Sequence, residues 1–353
     1  MRIVNSVLAD ATGGRWQVVC NYSRVLSQRG HAVLMLLSEM HLPDLDKIPA
    51  GVSVEVIRNR GHYDYPAAWS AGRRLRDFAP DLAIAHCSRS VALLKRATRG
   101  IVPVVAVTHS NKVTRLLTAD AYLPLTSHIE QTIKRADEAS FRKPCFIVPN
   151  MNSVEASRLP PVRQRHDPMR IAALGRFDKV KGFDVFVEAL GLLRARSIPF
   201  EAVLGGSGIE QQRLTERARL LGLSGQLSFP GWIAQVDRFL ADVDILVVPA
   251  RSDAFGLTPL QAAFAGVPLL LSTASGHREM FDDEAEVLFC EAGGSLSTAD
   301  QLTRLMADPE LADRLRQAAY LRAVSDYSET AVSGKLFQAL ESIKNNWHKY
   351  NKP

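Results

Sequence analysis

A chain of 353 residues with 46% hydrophobic content is too long for one ordinary core and too apolar for a disordered polymer, so two globular domains are expected. Four cysteines, Cys20, Cys87, Cys145 and Cys290, are scattered without a C-x-x-C pair, which argues for reduced core thiols over a disulfide frame or a zinc site. The net charge of +6 is unevenly split: residues 1–165 carry 23 Lys and Arg against 13 Asp and Glu, and residues 166–353 carry 20 against 24.

That split gives the first part a net charge of +10 and the second −4, so an anionic partner is expected on the first part: a phosphorylated acceptor or an acidic lipid surface. Nucleic acid is not expected, because no recognition motif or interleaved aromatic strip accompanies the charge. The clusters Arg73-Arg74-Leu75-Arg76 and Lys95-Arg96-Ala97-Thr98-Arg99 also read as solvated helix faces. No apolar run approaches the roughly 18 residues a membrane-spanning helix needs. The opening Met1–Asp10 reads as a first strand and not a leader, since Asn5 and Ser6 interrupt it and a glycine loop follows. A cytoplasmic protein is expected, with peripheral contact at the inner face of the membrane as a further expectation from the basic first part.

In chain order, short apolar runs alternate with amphipathic ones. Ile3–Leu8, Val33–Leu37, Val52–Ile57, Leu82–Ala85, Val102–Val107, Tyr122–Leu125 and Phe146–Val148 read as strands. Between them, Trp16–Gln28, Ala67–Phe78 and Ile129–Ala136 have helical periodicity. Continuous apolar strands separated by helices imply a parallel sheet covered on both faces. Residues 150–167 have neither periodicity and contain Pro160-Pro161, which marks a linker. The pattern then restarts, with strands at Met169–Gly175, Phe200–Leu204, Leu227–Phe229, Ile245–Val248 and Leu269–Leu271. Helices are expected at Gly182–Ala195, Gln211–Leu221, Val236–Ala241, Ala299–Met306 and Glu310–Ser325. The expected division is 1–165 and 166–325, two Rossmann-like domains, and 326–353, a C-terminal helix and basic tail that packs back on the first. The tail carries Trp347 and Tyr350 and suits a membrane surface or a frayed end.

The chemistry lies in the loops after strands. Gly13-Gly14 lets main-chain amides approach a ligand at a helix start, where the dipole favours negative charge. No G-x-G-x-x-G is present, which argues against a dinucleotide site. Leu174-Gly-Arg-Phe-Asp-Lys-Val-Lys-Gly182 offers Arg176 as a bidentate phosphate ligand and Lys181 as a point charge, while Lys179 fits a solvated loop better. Leu204-Gly-Gly-Ser-Gly208 and Phe229-Pro-Gly-Trp232 end two further strands. The loop after Ile245–Val248 carries Asp253, and a helix opens near Thr258-Pro259 with Gln261 about one turn in. Four phosphate-friendly elements thus fall on one edge of one sheet.

These residues resemble the family-4 retaining glycosyltransferases of the GT-B fold over nearly the whole chain. Gly13-Gly14, Pro149-Asn150, Gly175-Arg176, Lys181-Gly182, Gly205-Gly206-Ser207-Gly208, Pro230-Gly231-Trp232 and Ser252-Asp-Ala-Phe-Gly-Leu-Thr-Pro-Leu-Gln-Ala262 fall in the family's order. Ser275-Gly276-His277-Arg278-Glu279 is similar to a later glycine-rich loop ending in glutamate. The resemblance implies an α/β fold of two facing, doubly wound Rossmann-like domains with an interdomain cleft. It implies that Arg176 and Lys181 bind the donor diphosphate, that the Gly14 amide lies near it, and that Gly206 and Trp232 belong to the donor side. It further implies that Ala254, Phe255, Gly256 and Leu257 meet the donor sugar and phosphate through their amides, and that His109 lies near the sugar, with His86 a second candidate. The family usually has Glu-x7-Glu, whereas this chain has Asp253 and Gln261 at that spacing. Asp253 keeps the charge on a shorter arm, and the Gln261 amide can still bond ribose hydroxyls.

The implied activity is transfer of a hexose from a nucleotide diphosphate sugar, UDP favoured on family frequency, to an anionic glycan or glycolipid, as in lipopolysaccharide or polysaccharide synthesis. No acidic D-x-D-type metal site accompanies the motifs, so no cofactor is expected beyond the donor. Two other readings stay open: a nucleotide-sugar epimerase or sugar-phosphate synthase of the same fold, and a non-catalytic nucleotide-sugar-binding protein, which the neutral Gln261 motivates.

Overall fold

The computed structural model of the protein describes residues 1–9, 13–136, 142–153 and 160–350. The chain divides into two compact units, Met1–Ser153 with Glu329–Pro353, and Val154–Ser328. Residues 154–159 of the expected linker lie outside the described residues. Its later part belongs to the second unit. There the Arg163 guanidinium donates to the main-chain carbonyls of Leu240 at 2.9 Å, Ala241 at 3.2 Å and Ala265 at 3.1 Å. The His166 ring lies 3.0 Å from both the Asp244 and Asp242 carboxylates.

The first unit runs β1 (Arg2–Val7), α1 (Gly13–Gln28), β2 (Ala32–Ser38), β3 (Ser53–Ile57), α2 (Tyr65–Phe78), β4 (Leu82–Ala85), α3 (Ser88–Ala97), β5 (Val104–Thr108), β6 (Ala121–Pro124) and α4 (Ser127–Ala136). Its strands are all parallel, in the order β3-β2-β1-β4-β5-β6. The register sets Ile3 beside Val33 on one side and Leu82 on the other. Every position of β4 and β5 is buried, as a central parallel strand requires. Each such Leu, Ile or Val contributes about 1.5–3 kcal/mol by leaving water. Buried Asn5 fastens β1 to α1 by donating to the Val19 carbonyl at 3.0 Å and the Ser23 hydroxyl at 2.8 Å.

Expected strand Phe146–Val148 forms no strand. The Phe146 and Val148 amides donate to the carbonyls of Tyr122 and Pro124, but only Cys145 makes a bridge, to Tyr122, before Pro149 interrupts the donors. The C-terminal segment also differs from a frayed or membrane-touching tail. Helix α12 (Glu329–Tyr350) belongs to the first unit and buries Ile343 and Trp347, the latter 8% exposed. Arg24 pairs with Glu329, Lys344 pairs with Asp81 at 2.9 Å, and the Phe337 ring meets His31 edge-on. The apolar face of α12 is therefore occupied by α1 and its neighbours; residues 351–353 lie outside the described residues.

The second unit runs β7 (Arg170–Leu174), α5 (Phe183–Ala195), β8 (Glu201–Gly205), α6 (Gln211–Leu220), β9 (Leu227–Ser228), α7 (Val236–Ala241), β10 (Ile245–Val248), α8 (Leu257–Phe264), β11 (Leu269–Ser272), α9 (Ser275–Met280), β12 (Leu288–Cys290), α10 (Ser295–Ala307) and α11 (Pro309–Tyr327). Its sheet order, β12-β11-β10-β7-β8-β9, repeats the first unit's order, with β7 in the place of β1 and β10 in the place of β4. In each unit the strand order reverses between those two central strands, and the crevice above their carboxyl ends is where such sheets take ligands. The four cysteines are free, and burial pushes the Cys20 and Cys145 thiols up to about 12.

Candidate active site

In the second unit the reversal point is furnished by the loops after β7 and β10. The β7 loop is anchored by Phe177, fully buried and edge-on to Phe183. Asp178 then shapes the charged part. Its carboxylate caps the 3-10 turn Lys179–Lys181 by accepting the Lys181 amide at 3.2 Å, and it also accepts Arg176 Nε at 2.8 Å. Arg176 is thereby held at the base of its fork while its side chain stays 63% exposed.

The two loops are stitched together. Gly182 has φ +68°, and a Cβ there would fall 2.1 Å from the Pro249 carbonyl oxygen, so only glycine allows this approach. The Arg251 amide donates to the Val180 carbonyl at 2.8 Å. The Arg251 guanidinium grips Asp184 in bidentate fashion at 2.6 and 2.8 Å, tying the β10 loop to the first turn of α5.

This stitching brings Lys181 Nζ to 2.7 Å from Asp253 Oδ2. Burial alone would raise the Asp253 pKa; the Lys181 cation outweighs it and holds the carboxyl below its usual range. Beneath the pair lies His277, fully buried, its Nε2 3.9 Å from the same carboxylate oxygen. His277 Nδ1 lies 3.0 Å from the Ser272 carbonyl, which can only accept, so Nδ1 carries the proton. Burial lowers the His277 pKa, which leaves Nε2 a neutral acceptor without a hydrogen-bond partner.

The glycine loop after β8 serves the same platform. A Cβ on Gly206 would lie 1.8 Å from the Gly175 carbonyl oxygen, and one on Gly208 would lie 2.4 Å from that of Phe177. Main-chain bonds follow this contact: Gly175 to Gly205 at 3.0 Å, Phe177 to Ser207 at 2.8 Å, and Gly206 to Gly231 at 2.7 Å. Gly206 thus locks three loops side by side, and Trp232, next to Gly231, projects with 55% exposure.

Helix α8 starts at Leu257 behind Gly256, whose φ is +97°, and no side chain caps it. The positive end of α8 is therefore left for a ligand's anion. The Phe255 side chain is buried, edge-on to Tyr327, and Ala254 is 7% exposed. Only main-chain atoms of Ala254 and Phe255 can meet a donor, and Gly276 packs so close to them that a Cβ would lie 2.6 Å from Phe255 N. Gln261 lies half-buried on the second turn of α8.

His109 and Gly14 belong to the first unit. His109 follows β5 directly, and His86 follows β4. His86 Nδ1 and His109 Nε2 are 2.9 Å apart and the rings stack at 5.2 Å between centroids. Two facing nitrogens at that distance share one proton. Burial, first, and then the Arg15 charge hold His109 well below the usual histidine range; burial, His109 and Arg15 do the same for His86. Gly14 is the exposed second residue of α1.

The structure thus gathers Arg176, Lys181, Asp253, Gly206 and the start of α8 on one edge of the second sheet. Sequence reasoning missed His277 and the Arg251–Asp184 clamp. His277 carries no signal beyond its place in the Ser275–Glu279 motif; Arg251 and Asp184 flank the two recognised loops.

Two doubly wound units of identical strand order are the architecture of the GT-B fold. The glycosyl transferases group 1 profile matches residues 159–322, and the glycosyltransferase family 4 profile matches residues 12–143. The two profiles together span most of the chain, and the protein belongs to the glycosyltransferase family that they describe. It is 28% identical over 172 residues to the lipopolysaccharide core biosynthesis glycosyltransferase LpsE of Rhizobium meliloti, a match spanning 49% of each chain. It is 24% identical to LpsD of the same organism, over 75% of this chain and 76% of that one. The fold is similar to Anabaena HepE, solved with UDP and glucose, at a TM-score of 0.80 and 16% identity, covering 97% of this chain and 100% of the other.

Proposed function

We propose that the protein transfers a hexose, with retention at the anomeric carbon, from UDP-sugar to an anionic glycan or glycolipid acceptor in cell-surface polysaccharide or lipopolysaccharide synthesis. The observation that carries this reading is the Lys181–Asp253 pair beside the uncapped start of α8. Half-buried, the ammonium is held in place by a carboxylate that a diphosphate can displace.

In this reading the donor pyrophosphate takes Lys181 and the exposed fork of Arg176, and the amides at Gly256–Leu257 complete its cage. The acceptor hydroxyl oxygen then bonds to the anomeric carbon as the bond from that carbon to the β-phosphate oxygen breaks. The leaving UDP takes the electron pair, and the hydroxyl proton passes to a phosphate oxygen. The two cations stabilise the charge that grows on the leaving group, a contribution available only as the bond breaks. Gln261 faces the ribose, and His109 and Gly14 keep the donor-side roles that the family resemblance implies. The protein works on the cytoplasmic side, in peripheral contact with the membrane, and needs no cofactor besides the donor.

A panel of nucleotide sugars with phosphorylated and neutral glycan acceptors, scored for UDP release and product anomer, tests this. Acceptor-dependent UDP release with retention is expected. An inverted product, or release independent of any acceptor, overturns it.

A further inference from the structure

The carboxyl edge of the first sheet carries a second cationic cluster. His41 follows β2, His62, Tyr63 and Tyr65 follow β3, and Ser88 and Arg89 follow β4. They are linked: Arg89 Nη1 lies 3.1 Å from His41 Nε2, and His62 Nε2 lies 2.8 Å from the Ser88 hydroxyl. Arg96, on α3, donates to the carbonyls of His62 at 2.5 Å and Ala92 at 3.0 Å. Its guanidinium sits over the rings of Tyr65 at 5.0 Å and Tyr63 at 5.6 Å. Arg115 comes from a 3-10 turn, Thr114–Leu116, that packs on α3.

Neighbouring basic residues are neutralised: Arg74 by Glu55 at 2.5 Å and Lys95 by Asp120 at 2.6 Å. Arg89, Arg96 and Arg115 have no carboxylate partner among the described residues; Arg89 and Arg96 bond instead to a histidine ring and main-chain carbonyls. The nearby Asp64 is occupied, accepting the amides of Arg60 at 2.8 Å and Ala67 at 3.0 Å to cap α2. Burial, followed by the charges of Arg115, Arg89 and Arg96, lowers the His62 pKa, so the histidine adds no competing demand for an anion. Tyr63 and Tyr65 are 79% and 64% exposed, and the Arg96 guanidinium meets the ring of each.

We infer that Arg89, Arg96 and Arg115 bind an oxyanion carried on a saccharide, with Tyr63 and Tyr65 as the platform for its sugar ring. Guanidinium forks match phosphate or carboxylate oxygens in pairs, and three guanidinium groups without a carboxylate partner leave positive charge for such an oxyanion to meet. The exposed aromatic faces suit the C–H face of a pyranose. Within the proposed transferase, on which this inference rests, the site selects acceptors that already bear an acidic group. The reaction that supplies the acceptor is therefore a phosphorylation or uronate-forming step on the glycan.

The test is a ligand-detected NMR titration of the full chain with glucose 6-phosphate, glucose and inorganic phosphate, in the unmodified protein, Arg89→Gln/Arg115→Gln, Tyr65→Ala and Lys181→Ala. Arg96 is left intact because its carbonyl bonds support the fold. Glucose 6-phosphate is expected to bind about tenfold or more tightly than glucose or phosphate, to weaken by about tenfold in the arginine pair variant and in Tyr65→Ala, and to be unaffected by Lys181→Ala. Equal binding of glucose, or unchanged affinity in the arginine variant, overturns the proposal. Equal binding of inorganic phosphate reduces the site to a bare anion site and also overturns it. Phosphatidylglycerol vesicles that bind through the same arginines, without any sugar phosphate binding, make the patch a membrane surface and overturn it too. UDP titrated into the same samples scores the transferase separately: a chain that ignores UDP but binds glucose 6-phosphate through these arginines sinks the transferase reading and keeps the anionic-sugar site.

Discussion

Lys181 Nζ and Asp253 Oδ2 are 2.7 Å apart, on loops that leave two adjacent strands at the reversal point of the second sheet. The pair gives the ammonium a fixed address before any ligand arrives. It also sets a competition, because a diphosphate and Asp253 want the same cation. Lys181→Ala is expected to lower kcat/KM by about 10²-fold or more, by analogy with loss of one transition-state donor. Asp253→Asn removes the competitor and is expected to tighten UDP binding severalfold while slowing transfer. Calorimetry with UDP and steady-state kinetics check both; weaker UDP binding by Asp253→Asn counts against the competition.

Gly206→Ala tests the platform under the site. An added methyl has no room 1.8 Å from the Gly175 carbonyl oxygen, and the φ of +140° is closed to side chains. Stability should fall by about 2 kcal/mol or more, in line with overpacking combined with backbone strain. Chemical denaturation measures it, with Gly225→Ala, where a Cβ meets open space, as the reference.

The His86–His109 pair predicts a pH effect in the first unit. Both groups have folded pKa values below the ordinary histidine value of about 6.5, so the unfolded chain binds protons first as pH falls. Stability is therefore full above about pH 6.5 and declines as pH drops below it. His109→Gln should flatten the melting-temperature profile between about pH 6.5 and 5 relative to the unmodified chain. An unchanged slope in that variant refutes a contribution from the pair.

Trp347→Ala removes a side chain that is 8% exposed near the end of α12. A loss of about 3–5 kcal/mol is expected, as for other buried aromatics cut to alanine. A surface tail would lose nothing, so a denaturation curve separates the two.

The alternation of apolar strands with helices was legible because a central parallel strand leaves no polar face, as in β4 and β10. The charged loops were legible because Arg176, Lys181 and Asp253 stand directly after such strands. What escaped depends on contacts between distant segments. Gly206 reads as a ligand-facing glycine until the Gly175 carbonyl is seen against it. His277 is one polar residue in a short helix, and only the packing of α9 beneath Asp253 gives it a role. Trp347 reads as a tail residue because the helix that carries it packs on α1 and pairs with Asp81, segments far earlier in the chain. Phe146–Val148 has the composition of a strand but lacks the bridging pattern.

The first unit is assembled from two segments separated by the whole second unit, since α12 joins a body made otherwise of residues up to Ser153. During synthesis α1 therefore stays uncovered on that flank until α12 has been made, after every residue of the intervening unit. A stop codon or a protease cut near residue 328 damages the first unit although it falls at the far border of the second.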